Sequence, residues 1–216
     1  MFIGHHAAGF AAKRIAPCVS LGTLFAATMA LDLIWPVLLL LDLEHVRIDA
    51  KNTAFTPLDF YDYPITHSLL SVIGWSLLFG VIHWLFKKSW RDATVVGLAV
   101  LSHLVLDFVT HRPDLPLWPG GPKVGLGLWN SVAATVIVET LLFVGGVALY
   151  LRATRARDRI GSIALWALIV FVVAIYILNI ISPPPPSAVA IGYAGLAAYL
   201  FVPWGVWIDR HRQPRT

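Results

Sequence analysis

Six apolar runs divide the chain, at about 18–41, 68–86, 92–110, 131–151, 161–182 and 187–207. At 1.5 Å of rise per residue, a helix of ~20 residues crosses the ~30 Å of hydrocarbon in a bilayer. The runs therefore predict an all-α polytopic membrane bundle of about six transmembrane helices. Composition agrees: 58% of the 216 residues are hydrophobic and 13% charged, with a mean hydropathy of +0.75, well outside the range of an average soluble domain. No second domain or internal repeat is visible. Residues 1–216 read as a single integral membrane domain, with the chemistry-bearing residues in 1–130 and three plainer spans in 131–216.

Lys13 and Arg14 precede the first run as they would in a secretory signal. That run is too long for a signal's apolar core, contains Asp32 and lacks a small-x-small cleavage site, so it reads as an uncleaved span. Cys18 is the only cysteine, which excludes an intrachain disulfide and a thiolate cluster, and it reads as a small buried residue.

All but four of the 16 basic residues fall in alternate connections, and only Arg47, Lys51, Arg112 and Lys123 lie in the others. The positive-inside rule then places the region of Lys13, the turns at 87–91 and 152–159, and the C-terminus in the cytoplasm. The net charge of +4 follows from this sidedness and calls for no nucleic-acid partner. Two longer connections share the other side: 42–67, with an acidic face that reads as solvated, and 111–130, rich in Pro and Gly. The second lacks the ending of a phosphate-binding loop and reads as a lid. Pro183 to Pro186 forces a stiff hairpin between the last two spans.

Within hydrocarbon a charged side chain costs ~2.5–3.5 kcal/mol even on a lenient scale, so charges inside spans are paired or functional. Here Asp32, His67, His103, Asp107 and Glu139 fall at similar depth in the outer half of four different spans and describe one polar site. His103 and Asp107, four residues apart, leave one helix face with Cβ atoms ~6 Å apart, a spacing that suits a shared divalent cation or a buried hydrogen bond between helices. His111 continues the stripe beside Arg112 and Pro113, where the helix should end, and reads as a rim residue or a supporting donor. Glu139 is a candidate general base or a paired structural carboxylate, and Asp42 a candidate supporting partner. His83 reads as an ordinary interfacial histidine. If the start of the chain, MFIGHHAAGFAAKR, forms a short helix entering from the cytoplasmic surface, His5 lies ~14 Å deeper, within reach of Asp32. Non-helical backbone at that depth is tolerated only inside protein, which Gly4, Ala7, Ala8 and Gly9 permit. A solvated tail is the other reading.

With GHHAAG at the start, LDLIWP in the first span, YPITHSLL at the second and SHLVLDFVTHRPDLP at the third, the sequence resembles the YdjM-like family of predicted inner-membrane metal-dependent hydrolases. The likeness covers roughly residues 1–130. It implies a bacterial inner-membrane protein whose metal ligands correspond to His5, Asp32, His67, His103 and Asp107, with His6 the alternative to His5. It implies by analogy a chemistry like that of zinc-dependent phospholipases C and related nucleases. The expectation is a divalent ion, zinc by preference, that hydrolyses a phosphoester of a membrane lipid or lipid-linked molecule, with Asp107 or Glu139 taking the proton. A metal-ion or proton-coupled transporter and a non-enzymatic scaffold are the rival readings. Few polar residues continue into the cytoplasmic half, which counts against transport.

Overall fold

The computed structural model describes residues 1–215. Its helices are α1 (Ile3–Ile15), α2 (Leu21–Thr28), α3 (Ala30–Leu40), α4 (Pro64–His67), α5 (Leu69–Lys87), α6 (Trp90–Thr110), α7 (Val132–Ala153), α8 (Arg159–Ile181), α9 (Ala188–Leu196) and α10 (Phe201–Arg210). Five spans are long and apolar enough to cross a membrane, with α9 and α10 joined through a 3-10 turn as one of them. The α2–α3 pair, bent by 56°, makes a sixth. The local reasons are legible in the residues: Ser20, Ser68, Ser89, Ser131, Asp158 and Ser187 each cap a helix by accepting the amide three positions on. Lys88 ends α5 in the left-handed region at φ 55°.

The first run is thus a broken helix rather than one continuous span. The break at Met29 takes the Thr28 carbonyl out of the helical ladder and leaves it free for another donor. At depth such backbone persists only where protein encloses it, and Thr28, Met29 and Ala30 are buried.

The re-entrant expectation for the N-terminus corresponds to α1, which lies inside the bundle against α7, α2 and α6. Small residues make the approach possible. A Cβ on Gly146 of α7 would come within 2.4 Å of the Ala7 carbonyl oxygen. Gly205 of α10 and Gly22 of α2 meet backbone to backbone in the same way. Around these contacts Phe10, Phe25, Phe143 and Leu165 form a fully packed apolar layer. Outward faces carry Leu70, Leu77, Phe86, Leu141, Ile163 and Val170, all exposed as lipid-facing residues should be.

The connections contain short hairpins that the apolar pattern did not predict. At one end β1 (His45–Ile48) pairs antiparallel with β2 (Leu58–Asp62), and β3 (Leu115–Pro116) with β4 (Lys123–Val124). At the other, β5 (Thr154–Ala156) pairs with β6 (Arg212–Pro214). The latter is the basic end, where Lys13 Nζ lies 2.5 Å from Asp209 Oδ2 and Arg91 donates to the Ile15 carbonyl at 2.9 Å. Cys18, expected to be buried, is exposed there, in the turn between α1 and α2.

The loop expected to act as a lid is held closely. Gly125 sits at φ 156°, and a Cβ there would fall 2.2 Å from the Arg112 carbonyl oxygen. Leu126 and Gly127 donate their amides to Phe108 and His111 at 2.8 and 2.7 Å. The segment is a fixed cover over the end of α6.

Candidate metal centre

His5 from the first turn of α1, Asp32 from the first turn of α3, His67 from α4, and His103 and Asp107 from α6 converge near the loop end of the bundle. The helix break aims Asp32 at the cluster, and the i, i+4 spacing on α6 brings His103 Nε2 within 3.0 Å of Asp107 Oδ2. His5 Nε2 is 3.1 Å from Asp107 Oδ1 and 3.8 Å from Asp32 Oδ2. His67 Nε2 is 3.7 Å from Asp32 Oδ1 and 3.8 Å from Asp107 Oδ2, and His103 Nε2 is 3.6 Å from Asp32 Oδ1. The His5 and His103 rings stack at 3.6 Å with 6° between their planes. The donors form two overlapping triads, His5–His103–Asp107 and Asp32–His67–His103.

Two ligands each ~2.1 Å from a tetrahedral ion stand ~3.4 Å apart. The nitrogen–oxygen separations above bracket that value. They are not hydrogen bonds: His5 Nδ1, His5 Nε2 and His103 Nε2 are buried with no hydrogen-bond partner among the described residues. Bare nitrogens facing carboxylate oxygens at this spacing are the donor set of a cation site, so the residues fit a divalent ion. Met1 places its amino group 2.5 Å from Asp107 Oδ1, which is the same preference for positive charge in this pocket.

What lies behind the ligands fixes which nitrogen faces inward. His103 Nδ1 is 2.8 Å from the Thr28 carbonyl, an acceptor that requires the proton on Nδ1 and leaves Nε2 bare. For His67 the partner is the Thr66 hydroxyl, 2.7 Å from Nδ1, which itself donates to Glu44 Oε2 at 2.6 Å. The other Glu44 oxygen accepts the amides of Ile65 and Thr66 at 2.7 and 2.8 Å. Glu44 therefore corrects the reading of 42–67 as a solvated acidic face: it is fully buried and orients a candidate ligand. Asp59 is buried too, pairing with Arg47 at 2.7 Å and with Arg112. Asp42 is a second correction, since its side chain is 93% exposed and faces His45 at 3.4 Å rather than the cluster.

His111 lies 4.0 Å from Asp107 through Nε2, while its Nδ1 meets Asp114 at 2.9 Å. Tyr63 donates to the same Asp114 oxygen at 2.9 Å, and burial, reinforced by Asp114, pushes its phenol well above the usual range, so it stays a donor. His6 turns away from the cluster among Phe2, Phe25 and Phe201, which separates it from His5. Glu139 Oε2 accepts the amides of Phe2, Ile3 and Gly4 at 3.1, 3.0 and 3.4 Å, capping α1 from another helix. That geometry is the paired structural carboxylate of the sequence reading. Thr28, Glu44, Thr66, Tyr63 and Asp114 were missed, although the Thr directly before His67 was a usable signal.

A family model for the YdjM inner membrane protein matches residues 3–183. No curated protein and no solved structure matches the chain. The chain belongs to the YdjM inner membrane protein family.

Proposed function

We propose that this member of the YdjM family is a membrane-embedded, metal-dependent hydrolase that cleaves a phosphoester of a lipid or lipid-linked molecule from the non-cytoplasmic side. One observation carries the reading: His5, His67 and His103 turn Nε2 towards Asp32 and Asp107 at ligand-like spacing, and hydrogen bonds behind His67 and His103 hold them so. A divalent ion there, zinc by the chemistry of an imidazole and carboxylate donor set, would supply Lewis acidity to a water and to a phosphoryl oxygen. Asp32 is the least buried of the ligand candidates, its side chain 35% accessible, which supports access of a substrate from its side of the cluster. Asp107, buried between two imidazoles, is the carboxylate best placed to take a proton. Glu139 has one oxygen committed to α1, which leaves Oε1 as its only free acceptor.

The basic residues gathered at the far end support the sidedness. Transport is disfavoured by Phe10, Phe25 and Phe143, which fill the bundle between the cluster and the Lys13–Asp209 pair. The test is the purified protein in lipid nanodiscs, assayed by elemental analysis and against phospholipids, lipid-linked phosphates and generic phosphoesters. Cleavage should vanish with a chelator, return with metal, and fall in Asp107→Asn. A metal-replete protein that cleaves none of these, yet moves ions across sealed vesicles in a His103-dependent way, would establish transport instead. A protein that holds no metal and shows neither activity would leave a scaffold.

A further inference from the structure

At the basic end a cavity of about 300 Å³ opens between the turn from α1 to α2, the β5–β6 hairpin and the end of α10. Lys13, Arg157, Arg210 and Arg212 line it, with Asp209 as the one acid among the described residues. Asp209 is already taken: Oδ2 accepts from Lys13 Nζ at 2.5 Å and from the Leu21 amide at 2.7 Å, and Oδ1 from the Tyr150 hydroxyl at 3.1 Å. The three arginines therefore line the cavity with no carboxylate of their own among the described residues. Arg212 is the decisive one. It is buried, and its guanidinium donates only to neutral oxygens: Nε to the Thr154 hydroxyl at 3.1 Å, Nη1 to the Gly161 carbonyl at 3.1 Å and Nη2 to the Thr154 carbonyl at 3.4 Å. Those bonds, and the Tyr150 ring 5.3 Å from Cζ, fix the group without neutralising it. Two of its five N–H groups are left over. Sidedness alone does not explain this arrangement, because the positive-inside rule is met by charges that stand in water, as Arg152 and Arg159 do at the same end.

We propose that this cavity binds a phosphate group, carried by the headgroup of an anionic membrane phospholipid or by a small soluble phosphoester, with Arg212 as the fixed donor and Arg157 and Arg210 as exposed donors beside it. Phosphate suits the site because its oxygens accept paired bonds from a guanidinium and its charge offsets the unanswered arginines. Basic pockets between helices at a cytoplasmic surface take phosphorylated headgroups by the same chemistry. The site does not depend on the proposed hydrolysis. Its Lys13 follows His5 by eight residues, ~12 Å along the axis of α1, so the two sites lie at opposite ends of that helix.

Cys18, the only cysteine, is exposed on the cavity wall and reports its occupancy. The full chain in an uncharged detergent is alkylated with N-ethylmaleimide, a neutral reagent, and the rate is followed by intact mass at constant ionic strength. Inorganic pyrophosphate and micellar phosphatidylglycerol are the two probes. Slowing by phosphatidylglycerol alone assigns the site to a lipid headgroup, by pyrophosphate alone to a soluble phosphoester, and by both to the phosphate group itself. Each rate is compared with the same protein's rate without probe. Arg157→Gln/Arg210→Gln should raise the probe concentration for half-maximal slowing about tenfold or more. Arg152→Gln/Arg159→Gln removes the same charge from the same end outside the cavity and should leave it unchanged. No slowing by either probe, slowing that survives in Arg157→Gln/Arg210→Gln, or equal loss in the two double variants would overturn the proposal.

Discussion

Replacing Glu44 by Gln should weaken metal binding without touching any ligand. In the native chain the backbone amides of Ile65 and Thr66 need an acceptor at 2.7 and 2.8 Å, so the glutamine carbonyl stays with them and its NH2 turns to Thr66. The Thr66 hydroxyl, which donates to Glu44 Oε2 at 2.6 Å, must then accept instead. Its own proton swings towards His67 Nδ1, 2.7 Å away, and drives the imidazole proton onto Nε2, the atom that faces Asp32 and Asp107. Restoring the useful tautomer breaks one buried hydrogen bond, about 1–3 kcal/mol, or roughly 5- to 150-fold in affinity. Thr66→Val removes both bonds but leaves the tautomer free, so its effect should be smaller, about threefold. Competition for zinc against a chromophoric chelator reads the affinity, and nitrogen-15 NMR of labelled histidine reads the tautomer. Glu44→Gln protein that is folded and binds zinc as tightly as wild type, or more tightly than Thr66→Val, would refute the reasoning.

Four further outcomes are expected. The His103→Ala/Asp107→Ala double variant should insert normally and lose most of its metal, since fewer polar residues in a span make insertion easier; equal metal content in both proteins would defeat the assignment. Cysteines placed at Ala50 and Gly121 should label from outside intact cells, and a reporter fused after Thr216 should be active in the cytoplasm; the opposite pattern would invert the site. Gly146→Val should cost about 1–3 kcal/mol in thermal unfolding because its side chain meets the Ala7 backbone, whereas Gly145→Val, with open space around it, should be neutral. Lys13→Met should destabilise by about 3–5 kcal/mol, because it leaves the Asp209 carboxylate at the basic end without its buried cation; a midpoint equal to that of wild type would show the pair to be inert.

The spans and the ligand candidates were legible because the membrane makes both conspicuous. A run of twenty apolar residues has few alternatives, and a charge within one stands out against them, as Asp32 and Asp107 do. The i, i+4 rule then joins His103 to Asp107 before any fold is known. What escaped was everything that depends on backbone leaving its regular path. No residue type announces that the helix breaks at Met29, so the carbonyl that orients His103 was invisible. Glu44 was lost for a related reason: in a connection, an acid that turns inward and one that stays in water look alike in sequence, and Asp42, two residues earlier, does stay in water. Glu139 was placed at the right depth, but its partners are amides, which carry no side-chain signature.

The anchoring of α1 sets an order of assembly. This helix precedes the other helices described, yet its two ends are tied to Glu139 and Asp209, which follow more than a hundred residues later in the chain. Until α7 and α10 are in place, a segment with two histidines and a lysine has no partner in hydrocarbon and little reason to leave the surface. A chain without α7 and α10 therefore lacks the partners that hold the helix carrying His5 in place. The N-terminal helix is in this sense a latch whose two catches, Glu139 and Asp209, both lie in later spans.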